Sequence, residues 1–87
     1  MNEQFDTMSY TSRAAYMKAL AASEDGRIPL MTPGAMASYC GLDYKPETML
    51  WAMTEWLVMR LAKLVYEGGE DYIELDPIFE TVEASHG

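Results

Sequence analysis

One cysteine and one histidine are all the chain has of the residues that most often staple or metallate a small domain. Cys40 alone forms no internal disulfide, and Cys40 with His86 cannot build a zinc site from Cys and His alone. At 87 residues the chain has room for one domain, 1–87, with loose ends expected over 1–8 and 84–87. A domain this small buries only about 60–65% of the surface of its unfolded chain. Without a disulfide or a metal, its stability must come from oligomerisation, a partner, or a well-packed helical core.

Basic residues are scarce as well. Six Lys and Arg stand against fourteen Asp and Glu, for a net charge of −8. Residues 64–87 hold Glu67, Glu70, Asp71, Glu74, Asp76, Glu80 and Glu83 and no Lys or Arg, so this stretch carries most of the imbalance. Such a surface repels phosphates and anionic headgroups and suits a basic protein partner. No long uncharged apolar run is present: Met49–Tyr66 has the length of a membrane span, but Glu55, Arg60 and Lys63 interrupt it. The first residues lack a basic segment followed by an apolar one, and a single cysteine suits a reducing compartment, so the cytosol is expected.

Catalytic chemistry finds little to work with. His86 is the penultimate residue, a poor place to hold a general base in register. Cys40 falls on an apolar helical position, where a thiol is buried and inert. Gly68-Gly69 is followed by Glu70-Asp71, which would repel a phosphate. The carboxylates between Glu67 and Asp76 do not follow the order of a calcium loop. No enzyme, metal or cofactor is expected.

The periodicities read as a mainly α domain of four helices. The first runs from Ser9 or Thr11 to Glu24 and buries Ala14, Met17, Leu20 and Ala21. Asp25-Gly26 ends it. Pro29 keeps Arg27–Met31 extended. Thr32 and Pro33 form a cap-plus-proline start for a short helix to Cys40, with Met36, Ala37 and Cys40 inward and Gly41 as its stop. A long central helix opens at Pro46 and should run to Glu67, about 33 Å. Tyr72–Leu75 alternates and can pair with Ile28–Leu30 as a minimal two-stranded element. Asp76-Pro77 opens a last short helix that would bury Ile78, Phe79 and Val82.

The long helix is apolar over most of its circumference. At about 100° per residue, Leu50, Met53, Leu57, Leu61 and Leu64 form one stripe, expected to be the core face. Trp51, Val58, Ala62 and Val65, edged by Thr54 and Glu55, form a second. Met49, Ala52 and Trp56 lie on a third patch beside Arg60 and Lys63. A helix apolar all round is buried all round: either the three short helices wrap it completely, or the second stripe is left for a partner or for a second copy, giving a homodimer through this helix.

Ala37-Ser38-Tyr39-Cys40-Gly41-Leu42 resembles the centre of a helix-turn-helix unit, with an alanine four residues before a turn glycine and an aliphatic residue after it. The resemblance covers Thr32–Trp51, and with Tyr72–Leu75 as a wing strand the order is similar to that of winged-helix proteins. It implies a transcriptional regulator reading DNA through Lys45–Trp51. The second helix of the unit, however, offers Lys45, Glu47, Thr48, Trp51 and Glu55, with one positive charge, and the wing would carry Glu70, Asp71 and Glu74. Nucleic-acid readers bring several Lys or Arg to the phosphates.

The expectation that follows is a small acidic protein-binding module without enzymatic activity. Its sharpest form is a phage or mobile-element inhibitor of a nucleic-acid-handling host complex, acting in the host cytosol on a larger, basic protein surface. The residues expected to meet the partner are Trp51, Glu55, Val58, Glu67, Glu70, Asp71 and Glu74. The helix-turn-helix regulator and a structural assembly subunit are the alternatives.

Overall fold

The computed structural model describes residues 3–77. These form helices α1 (Glu3–Thr7), α2 (Tyr10–Ala22), α3 (Pro33–Tyr39) and α4 (Pro46–Val58), and strands β1 (Arg27–Pro29), β2 (Ala62–Glu67) and β3 (Glu70–Leu75). The strands make one antiparallel sheet in the order β1-β3-β2. The domain is therefore a mixed helix-and-sheet fold, which corrects the mainly α, all-helical reading. The expected pairing of Ile28 with the Tyr72–Leu75 segment is present, Ile28 opposite Ile73, but as one side of a larger sheet.

The correction comes from where α4 stops. Met59 caps the helix, and Arg60 takes a left-handed backbone with φ 61°. The Arg60 N–H then donates to Leu57 O at 3.1 Å and the Leu61 N–H to Trp56 O at 2.9 Å, the paired bonds of a Schellman cap. Past this reversal Lys63, Val65 and Glu67 alternate with Leu64 and Tyr66, and β2 pairs with β3 from Ala62↔Leu75 to Glu67↔Glu70. Gly68 and Gly69, at φ 63° and 83°, close a two-residue hairpin rather than ending a helix. Positive φ at both central residues is what the tight hairpin turn requires. The central helix is thus 13 residues long, and the residues given to its last turns belong to a strand.

The first half follows local signals more closely. Ser9 caps α2, accepting from the Ser12 N–H, and Thr32 caps α3, accepting from the Ala35 N–H at 3.3 Å. The first helix stops at Ala22, before the expected Glu24. Asp25 and Gly26 instead turn a small hairpin, in which Glu24 and Arg27 exchange backbone bonds at 3.0 Å. Residues expected to be a loose lead-in form α1, whose Phe5 packs edge-on against the Tyr16 ring at 5.9 Å.

The core lies between α2, α3, α4 and the inner face of the sheet. Trp56, Tyr16, Met36, Met49, Ile28, Leu61, Ile73 and Leu75 are buried. α2 turns in Ser12, Ala15, Tyr16 and Ala19, in place of the expected Ala14, Met17 and Ala21, and Leu20 is half-buried. Small Ala15 and Ala19 let α2 approach α4, and Tyr16 meets Trp56 edge to face at 5.6 Å. α4 buries Met49, Ala52, Met53 and Trp56, so the expected third patch supplies most of the core face, and Leu50 and Leu57 face outward. Met36, Ala37 and Cys40 are inward as expected. The last helix expected from Pro77 onward, with Ile78, Phe79 and Val82, lies outside the described residues. No helix among the described residues is long and apolar enough to cross a membrane.

Candidate interaction surface

α3 ends at a left-handed glycine before the chain turns into α4. Gly41, at φ 73°, lets its N–H reach Ser38 O at 3.1 Å and the Leu42 N–H reach Ala37 O at 2.8 Å. Ala37, Gly41 and Leu42 are thus three parts of one Schellman cap, which is the physical content of that short motif.

The outward side of α4 carries the candidate surface. Trp51 and Val58 are 59% and 70% exposed. Leu50 and Leu57, assigned to the core from periodicity, flank them in solvent. Glu47 and Thr54 complete this face, which holds no Lys or Arg. Four large apolar side chains on one turn-repeating face exceed the scattered single exposures usual on a small domain.

Glu55 has a different position from its neighbours. Its carboxylate accepts from the Ser9 N–H at 3.2 Å and from the Ser9 hydroxyl at 3.0 Å, and so sits at the positive end of α2. The Ser12 and Ser9 hydrogen bonds hold it below the usual glutamate range, against a smaller opposing effect of burial. This ties α4 to the start of α2 and gives Glu55 an internal partner.

The sheet sorts the acidic residues by face. Residues opposite one another share a side of the sheet, so the register puts Glu67, Glu70 and Glu74 on the outer face and Asp71 on the inner one. Arg27, which the sequence reading passed over, collects two of them: Nη1 lies 2.9 Å from Glu67 and Nε 3.0 Å from Glu74, with the guanidinium 6.0 Å from the Tyr72 ring centre. Lys63 Nζ adds a 3.3 Å contact to Glu74. Arg27 and then Lys63 pull the Glu74 carboxyl below its usual range. Glu70 accepts from the Tyr72 hydroxyl at 2.9 Å. The expected acidic edge is therefore divided: Glu67 and Glu74 are paired to cations, while Glu70 and Asp71 stay exposed next to the turn without an ion pair among the described residues.

Two further side chains belong to the surface and were missed. Leu64 and Tyr66 lie on the same sheet face as buried Ile73 and Leu75, yet are 60% and 72% exposed, because β2 runs past the cover of the helices. The available signal was Gly68-Gly69 between two alternating six-residue segments, a hairpin pattern. A groove of about 1030 Å³ opens where the ends of α2 and α4 meet the base of this hairpin, lined by Leu20, Leu57, Arg60, Lys63 and Asp76 among others. It mixes both signs of charge. Cys40 is buried, which raises its thiol pKa and leaves it unreactive. No group of three or more metal-capable side chains gathers among the described residues. No family model matches the chain, and neither does any curated protein or solved structure.

Proposed function

We propose that the chain is a non-enzymatic protein-binding module on a winged-helix-like scaffold, engaging its partner through the outward face of α4. The observation that carries this reading is the exposed set Leu50, Trp51, Leu57 and Val58 on that helix. From α2 onward the order is helix, strand, helix, helix, strand, strand, with a hairpin after the second helix of the α3–α4 unit. In a DNA reader of this design, that helix and hairpin meet phosphates and bases with cations. Here the helix face is apolar and the hairpin tip carries Glu70 and Asp71. An exposed Trp among aliphatic neighbours is the composition of a protein-binding hot spot.

The partner that suits this surface is a larger protein with a basic rim around an apolar pocket. A nucleic-acid-handling complex meets that description, and occupation of its groove by an acidic small protein is the inhibitor form of the proposal, one a phage or mobile element would encode. The site of action is the cytosol, in keeping with one buried cysteine.

The test is affinity capture from native lysate with and without nuclease, comparing the wild type with Trp51→Ala/Val58→Asp. A protein retained by the wild type after nuclease and released by the double variant supports the reading. Recovery that collapses with nuclease, together with gel retardation of a DNA fragment lost on Lys45→Glu, replaces it with the regulator reading. Equal retention by the double variant removes α4 from the interface.

A further inference from the structure

The two edges of the sheet are treated differently. At β1 the outward N–H groups are closed: Arg27 exchanges both of its bonds with Glu24 at 3.0 Å, and Pro29 has no N–H to offer. A proline on an edge strand is a standard guard against further pairing. β2 forms the other edge, with six residues and no proline.

Which β2 groups face outward follows from the register. On β3, Asp71 O accepts from the Leu30 N–H at 3.0 Å, and the Leu75 N–H donates to Gly26 O at 2.7 Å, so residues 71, 73 and 75 point their backbone groups at the β1 side. Residues 70, 72 and 74 therefore point at β2, where they oppose Glu67, Val65 and Lys63. The N–H and C=O groups of Leu64 and Tyr66 are left on the open edge, where no backbone partner meets them among the described residues.

We infer that β2 pairs antiparallel with β2 of a second copy, about a two-fold axis through Val65. An axis there makes the strand its own complement. Lys63 faces the partner's Glu67, and Glu67 faces the partner's Lys63. Leu64 faces the partner's Tyr66, with the symmetric pair repeated, and the outward backbone groups of these two are the ones that exchange hydrogen bonds. Val65 faces the partner's Val65 at a position without hydrogen bonds, where side chains come closest. Shifting the axis by one residue sets Lys63 against the partner's Val65 or against the partner's Gly69 and loses both charge pairs.

The result is an isologous six-stranded sheet with both helical layers on one side, and with Leu64 and Tyr66 of both copies in the cleft between them. The exposure of these two side chains thereby gains a reason. Assembly stops at two, because the outer edges of the new sheet are the guarded β1 strands. This pairing is independent of the α4 face and of the partner proposed for it.

Sedimentation velocity over a concentration series, with circular dichroism as a check on folding, tests the inference. The wild type is expected to dimerise. Lys63→Glu and Glu67→Lys, each setting like charges opposite one another twice, are expected to weaken the dimer about tenfold or more. Lys63→Glu/Glu67→Lys together restore opposite charges across the axis and are expected to recover most of the loss. Oxidation of Val65→Cys should link two chains, while Lys63→Cys, far from its own symmetry mate, should not. A wild type that stays monomeric at millimolar concentration overturns the inference. So does a dimer indifferent to the single reversals, one the double swap does not rescue, or equal cross-linking through residues 63 and 65.

Discussion

The hydroxyl of Tyr16 lies 2.6 Å from the carbonyl oxygen of Asp76, sixty residues further along the chain, and 2.9 Å from that of Leu61. The Asp76 N–H itself donates to Leu61 O at 2.9 Å. One side chain in the middle of α2 thus fastens both ends of the β2–β3 hairpin where they enter the core. Burial pushes the Tyr16 hydroxyl well above its ordinary pKa, with the Asp76 charge adding to the shift, so it serves as a neutral donor at any physiological pH.

Tyr16→Phe keeps the ring contacts with Phe5 and Trp56 and removes only this donor. Leu61 O keeps its bond from the Asp76 N–H, so the expected cost is about 0.5–1.5 kcal/mol, the usual net worth of one hydrogen bond. Urea denaturation measures it. A loss below a few tenths of a kcal/mol would show that the hairpin is not anchored through this group.

The two tryptophans should behave oppositely. Trp56 is fully buried and donates through Nε1 to Ser12 O at 2.9 Å, so Trp56→Ala is expected to cost about 3–5 kcal/mol. Trp51 projects into solvent, and Trp51→Ala should stay within about 0.5 kcal/mol of the wild type while impairing partner capture. Comparable losses of stability in both variants would mean that the α4 outer face is covered within the chain.

Arg60 holds the left-handed position at the end of α4 with a side chain, where a helix cap normally places glycine. A non-glycine residue there costs about 1–2 kcal/mol, part of which glycine returns as unfolded-state entropy. Arg60→Gly is expected to stabilise the protein by up to about 1 kcal/mol, read as a rise of several degrees in thermal midpoint. A fall instead would show that the guanidinium makes a contact worth more than the strain.

Acid should weaken the fold through two carboxylates. Glu55, held chiefly by Ser12 and then Ser9, and Glu74, held chiefly by Arg27 and then Lys63, both titrate lower in the folded chain than in the unfolded one. Their contribution is complete above the ordinary glutamate value of about 4.3. It disappears as pH falls through the lower folded value, because the unfolded chain then binds more protons. The thermal midpoint should hold steady from neutrality to about pH 5 and decline below about pH 4. Glu55→Gln/Glu74→Gln should flatten that decline, and an unchanged slope would place the acid sensitivity elsewhere.

What could be read from residues alone was local. Thr32 with Pro33, Ser9, Pro46 and Gly41 act within one turn of themselves, and each starts or stops a helix where its chemistry indicates. Ile28 and Ile73 also announced themselves, as short alternating segments beside Pro29 and between charged residues. The exposure of Trp51 and Val58 is one of two outcomes that a helix apolar on every side leaves open, the other being complete burial. The pairing of Glu67 and Glu74 with Arg27 was not legible, since it links residues about forty positions apart.

Tertiary structure alone decided the length of α4 and its buried face. Met49–Tyr66 is compatible with a helix by periodicity, and its Lys63–Glu67 portion is equally compatible with a strand. An apolar run of this kind has no strong local preference, so the choice falls to its non-local partners. β3 offered a full row of backbone bonds across the Gly68-Gly69 turn, and α2 offered Ala15, Ala19 and Tyr16 as the surface that selects Trp56 over Leu50 and Leu57. By itself the sequence determined the caps, the turns and the acidity, because these act within a few residues or sum over all of them. The sheet, the core face and the open edge of β2 were settled by contacts that exist only once the chain has folded.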